Sequence, residues 1–179
     1  MVNRMLQKKE LLALDGQAPR AEIIQNIADA LRQRGWLLAT AESCTGGLIA
    51  AACTDLAGSS DWFERGFVTY SNAAKTELLG VPPALIEQHG AVSEPVARAM
   101  AAGAVAHSAA HVSVAVTGIA GPTGGSEDKP VGTVWFGWCV GGQCSTERQL
   151  FAGDRASVRT QSAQHALAGL LARVRAVAD

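Results

Sequence analysis

The stretch WLLATAESCTGGLIAAAC, residues 36–53, decides the class of fold. Trp36 to Glu42 is a short apolar run of the length and composition of a strand buried on both faces. Gly46 and Gly47 break it, and the alanine-rich LIAAAC that follows reads as a helix. The joint between them holds Glu42, Ser43, Cys44 and Thr45. A plain connection needs one glycine or one capping residue, so this turn is furnished beyond what folding requires.

Reading outward, AEIIQNIADALRQRG places Ile23, Ile24, Ile27, Ala28 and Leu31 on one helical face, and Gly35 ends it. Residues 1–20 are a polar arm or lead-in helix ahead of a single domain over 21–179. Downstream, GFVTYS is a strand, and Asn72 is placed to cap a helix over NAAKTELLG. PPALIEQHG is a short helix with proline at its start. SEPVARAMAAGAVAHSAA is a longer one with Ser93 as cap. HVSVAVTG is a second buried strand. TVWFGWCV and QCSTERQLF are strands joined by Gly141-Gly142, a hairpin signal. The segment from Gly153 to the end is one long amphipathic helix. Helices interleaved with strands and then a hairpin predict a three-layer α/β/α sandwich. Its mixed sheet is mostly parallel and includes one antiparallel hairpin.

The chain has 179 residues, 48% of them hydrophobic and 17% charged, which fits one globular domain and excludes a disordered tail. A net charge of -1 gives no basic stripe for nucleic acid. No apolar run reaches the roughly 20 residues of a membrane helix, and the N-terminus has no long apolar signal region. The protein is expected in the cytoplasm. The cysteines at 44, 53, 139 and 144 form no CxxC pair or zinc spacing and are expected to stay reduced, with Cys53 and Cys139 in the core. The histidines at 89, 107, 111 and 165 are scattered. Neither a metal nor an organic cofactor is expected.

Ligands of open α/β sheets collect at the carboxyl ends of the strands. Three unusual segments fall there: ESCTGG, YSNAAK and TGIAGPTGG. Ser43 reads either as a helix cap or as a nucleophile beside backbone N–H groups able to hold an oxyanion, with Gly46 and Gly47 permitting close approach. It lacks a G-x-S-x-G elbow, and no histidine is placed by sequence to activate it. Lys75, kept partly dry, would accept its proton, with Tyr70 as relay. Both could equally be ordinary surface residues. Cys44 is a rival nucleophile, since a helix N-terminus lowers a thiol pKa. The loop 118–132 lacks phosphate-loop spacing, yet structureless loops of about 15 residues are uncommon unless functional. Arg155, in a first helical turn where a cation opposes the dipole, would be justified by an anion.

AESCTGG, DLAGSSDWFERGFVTYSNAAKTELLGV, HGAVSEPVARAMA, VTGIAGPTGGSEDKPVGTVWFG and FAGDRASVR together resemble the CinA C-terminal domain family over residues 21–176. The stand-alone bacterial members of that family are nicotinamide-nucleotide amidases. The resemblance implies hydrolysis of nicotinamide mononucleotide (NMN) to nicotinate mononucleotide and ammonia. It places the nucleophile on Ser43, the assisting tyrosine and lysine on Tyr70 and Lys75, and further substrate residues on Thr117 and Arg155. Glu42, Cys44, Thr45, Gly46 and Gly47 of the turn, and Gly118 and Gly121 of the loop, are expected to line the substrate. The resemblance also implies a homodimer. A pyridine-nucleotide-binding or regulatory module without turnover is the alternative. A dehydrogenase of the Ser-Tyr-Lys kind is disfavoured by the five-residue Tyr70–Lys75 spacing and by the lack of a dinucleotide fingerprint.

Overall fold

Residues 19–177 are described by a computed structural model; the expected N-terminal arm lies outside them except for its last two residues. Helix α1 (Arg20–Arg34) ends on Gly35, whose left-handed φ of 62° a glycine adopts without strain. It leads into β1 (Leu38–Glu42), then α2 (Leu48–Thr54), a 3-10 turn (Ser59–Asp61) and β2 (Phe63–Val68). Next come α3 (Asn72–Leu79), α4 (Pro83–His89), α5 (Glu94–Ala106) and β3 (Val112–Gly118). Strands β4 (Thr133–Val140) and β5 (Gln143–Leu150) form the hairpin, and α6 (Arg155–Ala176) closes the domain.

The five strands form one sheet in the order β2-β1-β3-β4-β5. β1 pairs in parallel with β2 and β3, while β4 runs antiparallel to β3 and β5. Four strands therefore point the same way. The sheet turns at Gly141 (φ 60°) and Gly142 (φ 75°), the two positive φ values of a tight hairpin.

Alternation along the strands sends two unlike faces to the two helix layers. Leu38, Val112, Val114, Val116, Val134, Phe136 and Trp138 pack with α1, α2 and α6. The opposite face presents small residues, Ala39, Ala41 and Ala115, to α5 with Val96 and Met100. The close approach of α5 is visible at Gly137, where a Cβ would come 2.4 Å from the Ala97 carbonyl oxygen. The expected sandwich is thus present, with its core divided between a bulky layer and a small-residue layer.

Local details depart from expectation. β2 begins at Phe63, three residues before the expected strand. It is an edge strand whose Glu64 and Arg65 interrupt the apolar signal. Ser71, not Asn72, caps α3 by accepting from the Ala74 N–H at 3.0 Å. Ser93 precedes α5 but donates its hydroxyl to the Gly90 carbonyl. Cys139 and Cys144 are joined in a disulfide, not held as free thiols, because the β4–β5 register sets them directly opposite each other. Cys53 is a fully buried free cysteine, as expected.

Candidate active site

β1 lies between β2 and β3, and the chain leaves β1 toward one neighbour and returns to the other. The ends of these three strands therefore open onto a topological switch point. The Ser43 N–H extends the ladder to the Val116 carbonyl at 3.0 Å, fixing the residue just past the end of β1. The chain then turns through Gly46 (φ 59°) and Gly47 (φ 99°), values that explain why two glycines stand there.

Beneath this turn lies Glu42, fully buried. Its Oε2 accepts from the N–H groups of Gly47 (3.0 Å) and Ile49 (3.1 Å), and its Oε1 accepts from Ala50 N–H (2.8 Å). The Thr40 hydroxyl donates to Oε1 at 3.4 Å. Those are orphan donors of the α2 N-terminus, and a carboxylate satisfies them where the helix dipole also favours negative charge. Glu42 thus organises the turn from below, where a substrate contact had been expected.

Lys75 reaches the same place from the first turn of α3. Its side chain is 1% exposed. Its Nζ lies 3.1 Å from Ser43 Oγ and donates to the carbonyls of Thr69 (2.9 Å) and Tyr70 (3.2 Å). Among the described residues no carboxylate hydrogen-bonds to this amine, and burial pushes its pKa below the ordinary lysine value.

Cys44 sits beside Ser43 with the opposite tendency. It is buried, and desolvation pushes the thiol up to about 11, outweighing the nearby Arg159 charge. The thiolate expected from a helix N-terminus is therefore not favoured at neutral pH.

The other expected residues gather round this pair in different ways. The Tyr70 ring is 62% exposed. Its hydroxyl accepts from Arg155 Nη2 at 3.2 Å; no hydrogen bond joins it to Ser43 or Lys75. Arg155 Nη1 donates to the Gly121 carbonyl at 3.0 Å, so one guanidinium joins the end of β2 to the 118–132 loop. Thr117, buried, donates its hydroxyl to the Ala91 carbonyl at 2.9 Å. At Gly118 a Cβ would come 2.8 Å from Val134 Cγ2, so glycine is needed there for packing against β4. The loop is closed at its base by Ile119 N–H to Thr133 O and Gly132 N–H to Ile119 O. Lys129 Nζ anchors it to the His89 carbonyl at 2.9 Å.

Arg159 was not anticipated. Its Nε donates to the Cys44 carbonyl at 3.1 Å and its Nη2 to the Thr45 carbonyl at 3.0 Å. The available signal was spacing: Arg155 and Arg159, four apart near the start of α6, share a helical face. Among the described residues no group of three His, Cys, Asp or Glu is gathered that could hold a metal ion. No described helix is long and apolar enough to cross a membrane.

A mixed α/β sheet with a buried Ser–Lys pair at its switch point is the framework of this domain, and comparison assigns its family. The CinA C-terminal domain profile matches residues 20–174, and the chain belongs to that family. It is 58% identical over 147 residues to nicotinamide-nucleotide amidohydrolase PncC of Enterobacter agglomerans, covering 82% of this chain and 90% of that protein. To the PncC of Escherichia coli K12 it is 53% identical, covering 82% and 89%. Among solved structures it superimposes on competence damage-inducible protein A of Klebsiella pneumoniae with a TM-score of 0.86 and 40% identity. That match covers 90% of this chain and all of the other.

Proposed function

We propose that this protein is an amidohydrolase of NMN, releasing ammonia and nicotinate mononucleotide through an acyl-enzyme on Ser43. The observation that supports this reading best is the buried Lys75 amine 3.1 Å from the Ser43 hydroxyl. Thr69 O and Tyr70 O can only accept hydrogen bonds. A neutral Lys75 directs its two hydrogens to them and leaves its lone pair for the Ser43 proton. Burial favours that neutral form, so the amine is a competent general base.

Ser43 Oγ attacks the carboxamide carbon as its proton passes to Lys75 Nζ. The carbonyl oxygen becomes an oxyanion, stabilised by backbone N–H groups of the turn. When the intermediate collapses, the C–N bond breaks and the Lys75 ammonium protonates the departing amine, releasing ammonia. Water then attacks the ester, giving its proton to Lys75, and the C–Oγ bond breaks with return of that proton to Ser43. No redox partner is needed. Arg155, Tyr70, Thr117 and the 118–132 loop position the ribose and phosphate, and this binding orients the amide. The name of these relatives, nicotinamide-nucleotide amidohydrolase, agrees with this substrate. The same reading gives a cytoplasmic homodimer, a state that light scattering of the purified protein measures.

The test is ammonia release from NMN by chelator-treated protein. Turnover by the parent and none by Ser43→Ala is expected; full turnover by Ser43→Ala would overturn the mechanism.

A further inference from the structure

We infer that Arg159 is a positioning residue of the amidase site, holding the backbone of the nucleophile turn so that the Thr45 N–H serves as an oxyanion donor. The inference rests on the amidohydrolase reading above. It begins with the inventory of backbone donors in the turn. The Ser43 N–H goes to Val116 O, that of Gly46 to Ser43 O, and that of Leu48 to Thr45 O. The Gly47 N–H goes to Glu42. Among the described residues neither the Cys44 N–H nor the Thr45 N–H has a carbonyl or carboxylate partner, and of the two it is the Thr45 N–H whose peptide unit Arg159 holds. An unengaged backbone donor two residues from a nucleophile is costly to leave without a use, since nearly all such groups are paired in folded proteins.

What aims it is Arg159. A trans peptide is planar, with its C=O and N–H pointing in opposite directions. The Cys44 carbonyl and the Thr45 N–H belong to one peptide unit. Arg159 Nε takes that carbonyl at 3.1 Å, so the N–H on the far edge of the unit faces away from the guanidinium. Nη2 of the same group takes the next carbonyl, Thr45, at 3.0 Å. Two donors in one rigid plane hold two successive peptide units, which a flexible ammonium cannot do. From below, Glu42 holds the N–H groups of Gly47, Ile49 and Ala50. The turn is therefore clamped by an anion on its N–H groups and a cation on its carbonyls. Arg159 acts wholly through the backbone.

Such a device alters the transition state more than the bound substrate, because an oxyanion donor is used fully only once the carbonyl becomes tetrahedral. Steady-state kinetics on NMN with the full-length parent, Arg159→Ala and Arg159→Lys provide the test, with melting temperatures alongside. Removal of an oxyanion donor outright lowers kcat by about 10² to 10³. For Arg159→Ala, where the donor is misdirected and not removed, we expect kcat to fall about 10- to 100-fold with KM within about threefold of the parent. Added guanidinium ion should restore part of the lost kcat. Arg159→Lys, which keeps the charge but not the fork, should lose about 5- to 20-fold in kcat, and it decides the matter if the alanine variant does not fold. Parental kcat in a folded variant, or a loss confined to KM, would overturn the inference, the latter by showing a direct substrate contact. A parent protein that releases no ammonia from NMN would instead overturn the amidohydrolase reading beneath it.

Discussion

Lys75 Nζ and Ser43 Oγ lie 3.1 Å apart although 32 residues separate them in the chain. The contact joins the ends of two adjacent parallel strands, one supplying the hydroxyl directly and the other leading into the helix that supplies the amine. Among the described residues no histidine or carboxylate hydrogen-bonds to either side chain, and burial lowers the Lys75 pKa and so favours the unprotonated amine. That arrangement leads directly to testable behaviour.

Ser43→Ala should reduce ammonia release from NMN by more than about 10³-fold, as loss of a catalytic nucleophile does in other hydrolases. Cys44→Ala should retain turnover within about tenfold of the parent, because the buried thiol, held up near 11, is mostly protonated at neutral pH. An ammonia assay on both variants checks this. Loss of turnover in the cysteine variant alone would reverse the assignment.

The pH profile should report Lys75. A general base must be neutral, so kcat/KM should rise with pH and level off through an ionisation below the ordinary lysine value of about 10.4. Lys75→Met should remove that limb and lower kcat by at least about 10²-fold. A profile with the same limb in Lys75→Met would show that another group had been titrating.

Glu42→Gln should destabilise the fold by about 1–3 kcal/mol in urea denaturation, since an amide has one acceptor oxygen for donors that now share two. The activity of the folded variant should fall through kcat, as the turn bearing Ser43 loosens. An unchanged urea midpoint would mean that solvent replaces the carboxylate without cost.

Far from the site, Glu147 on β5 accepts from His165 Nε2 at 3.1 Å and from Gln149 Nε2 at 2.6 Å, which hold its carboxyl down to about 2. Because the folded value is depressed, this stabilisation is present above the unfolded pKa of about 4.3 and is lost as pH falls toward 2. The group is about a third exposed, and solvent screening reduces the effect to about 1 kcal/mol. Glu147→Gln should flatten the stability curve between about pH 4.5 and 2. Acid titrations of melting temperature measure it, and an undiminished slope would remove Glu147 from the acid transition.

Much of this molecule was legible in its sequence because apolar patterning dominates it. VSVAV and TVWFGWCV are buried strands with little competing signal, and the glycine pairs at 46–47 and 141–142 mark turns that require positive φ. The edge strand β2 was harder to bound, since Glu64 and Arg65 put two adjacent charges into it and resemble a loop. Residue types at strand ends pointed to Ser43 and Lys75. The direction of a side chain did not follow from position. Tyr70 turns outward to Arg155, and Glu42 turns inward to a helix end. Nor could spacing show that the Cys139 and Cys144 sulfurs meet, because that depends on the hairpin register. Arg159 was hidden for the same reason: its partners are carbonyls, which every residue has.

The contacts that α6 makes also give the domain an order of assembly. Arg159 meets the Cys44 carbonyl across 115 residues of chain, and Arg155 meets the Tyr70 hydroxyl across 85. On a ribosome the three parallel strands around the site and the Ser43–Lys75 pair emerge well before either arginine. A nascent chain can therefore hold both Ser43 and Lys75 while the turn and loop around them are still untethered. Under the proposed mechanism, competence for chemistry would arrive late in synthesis, with the docking of the closing helix.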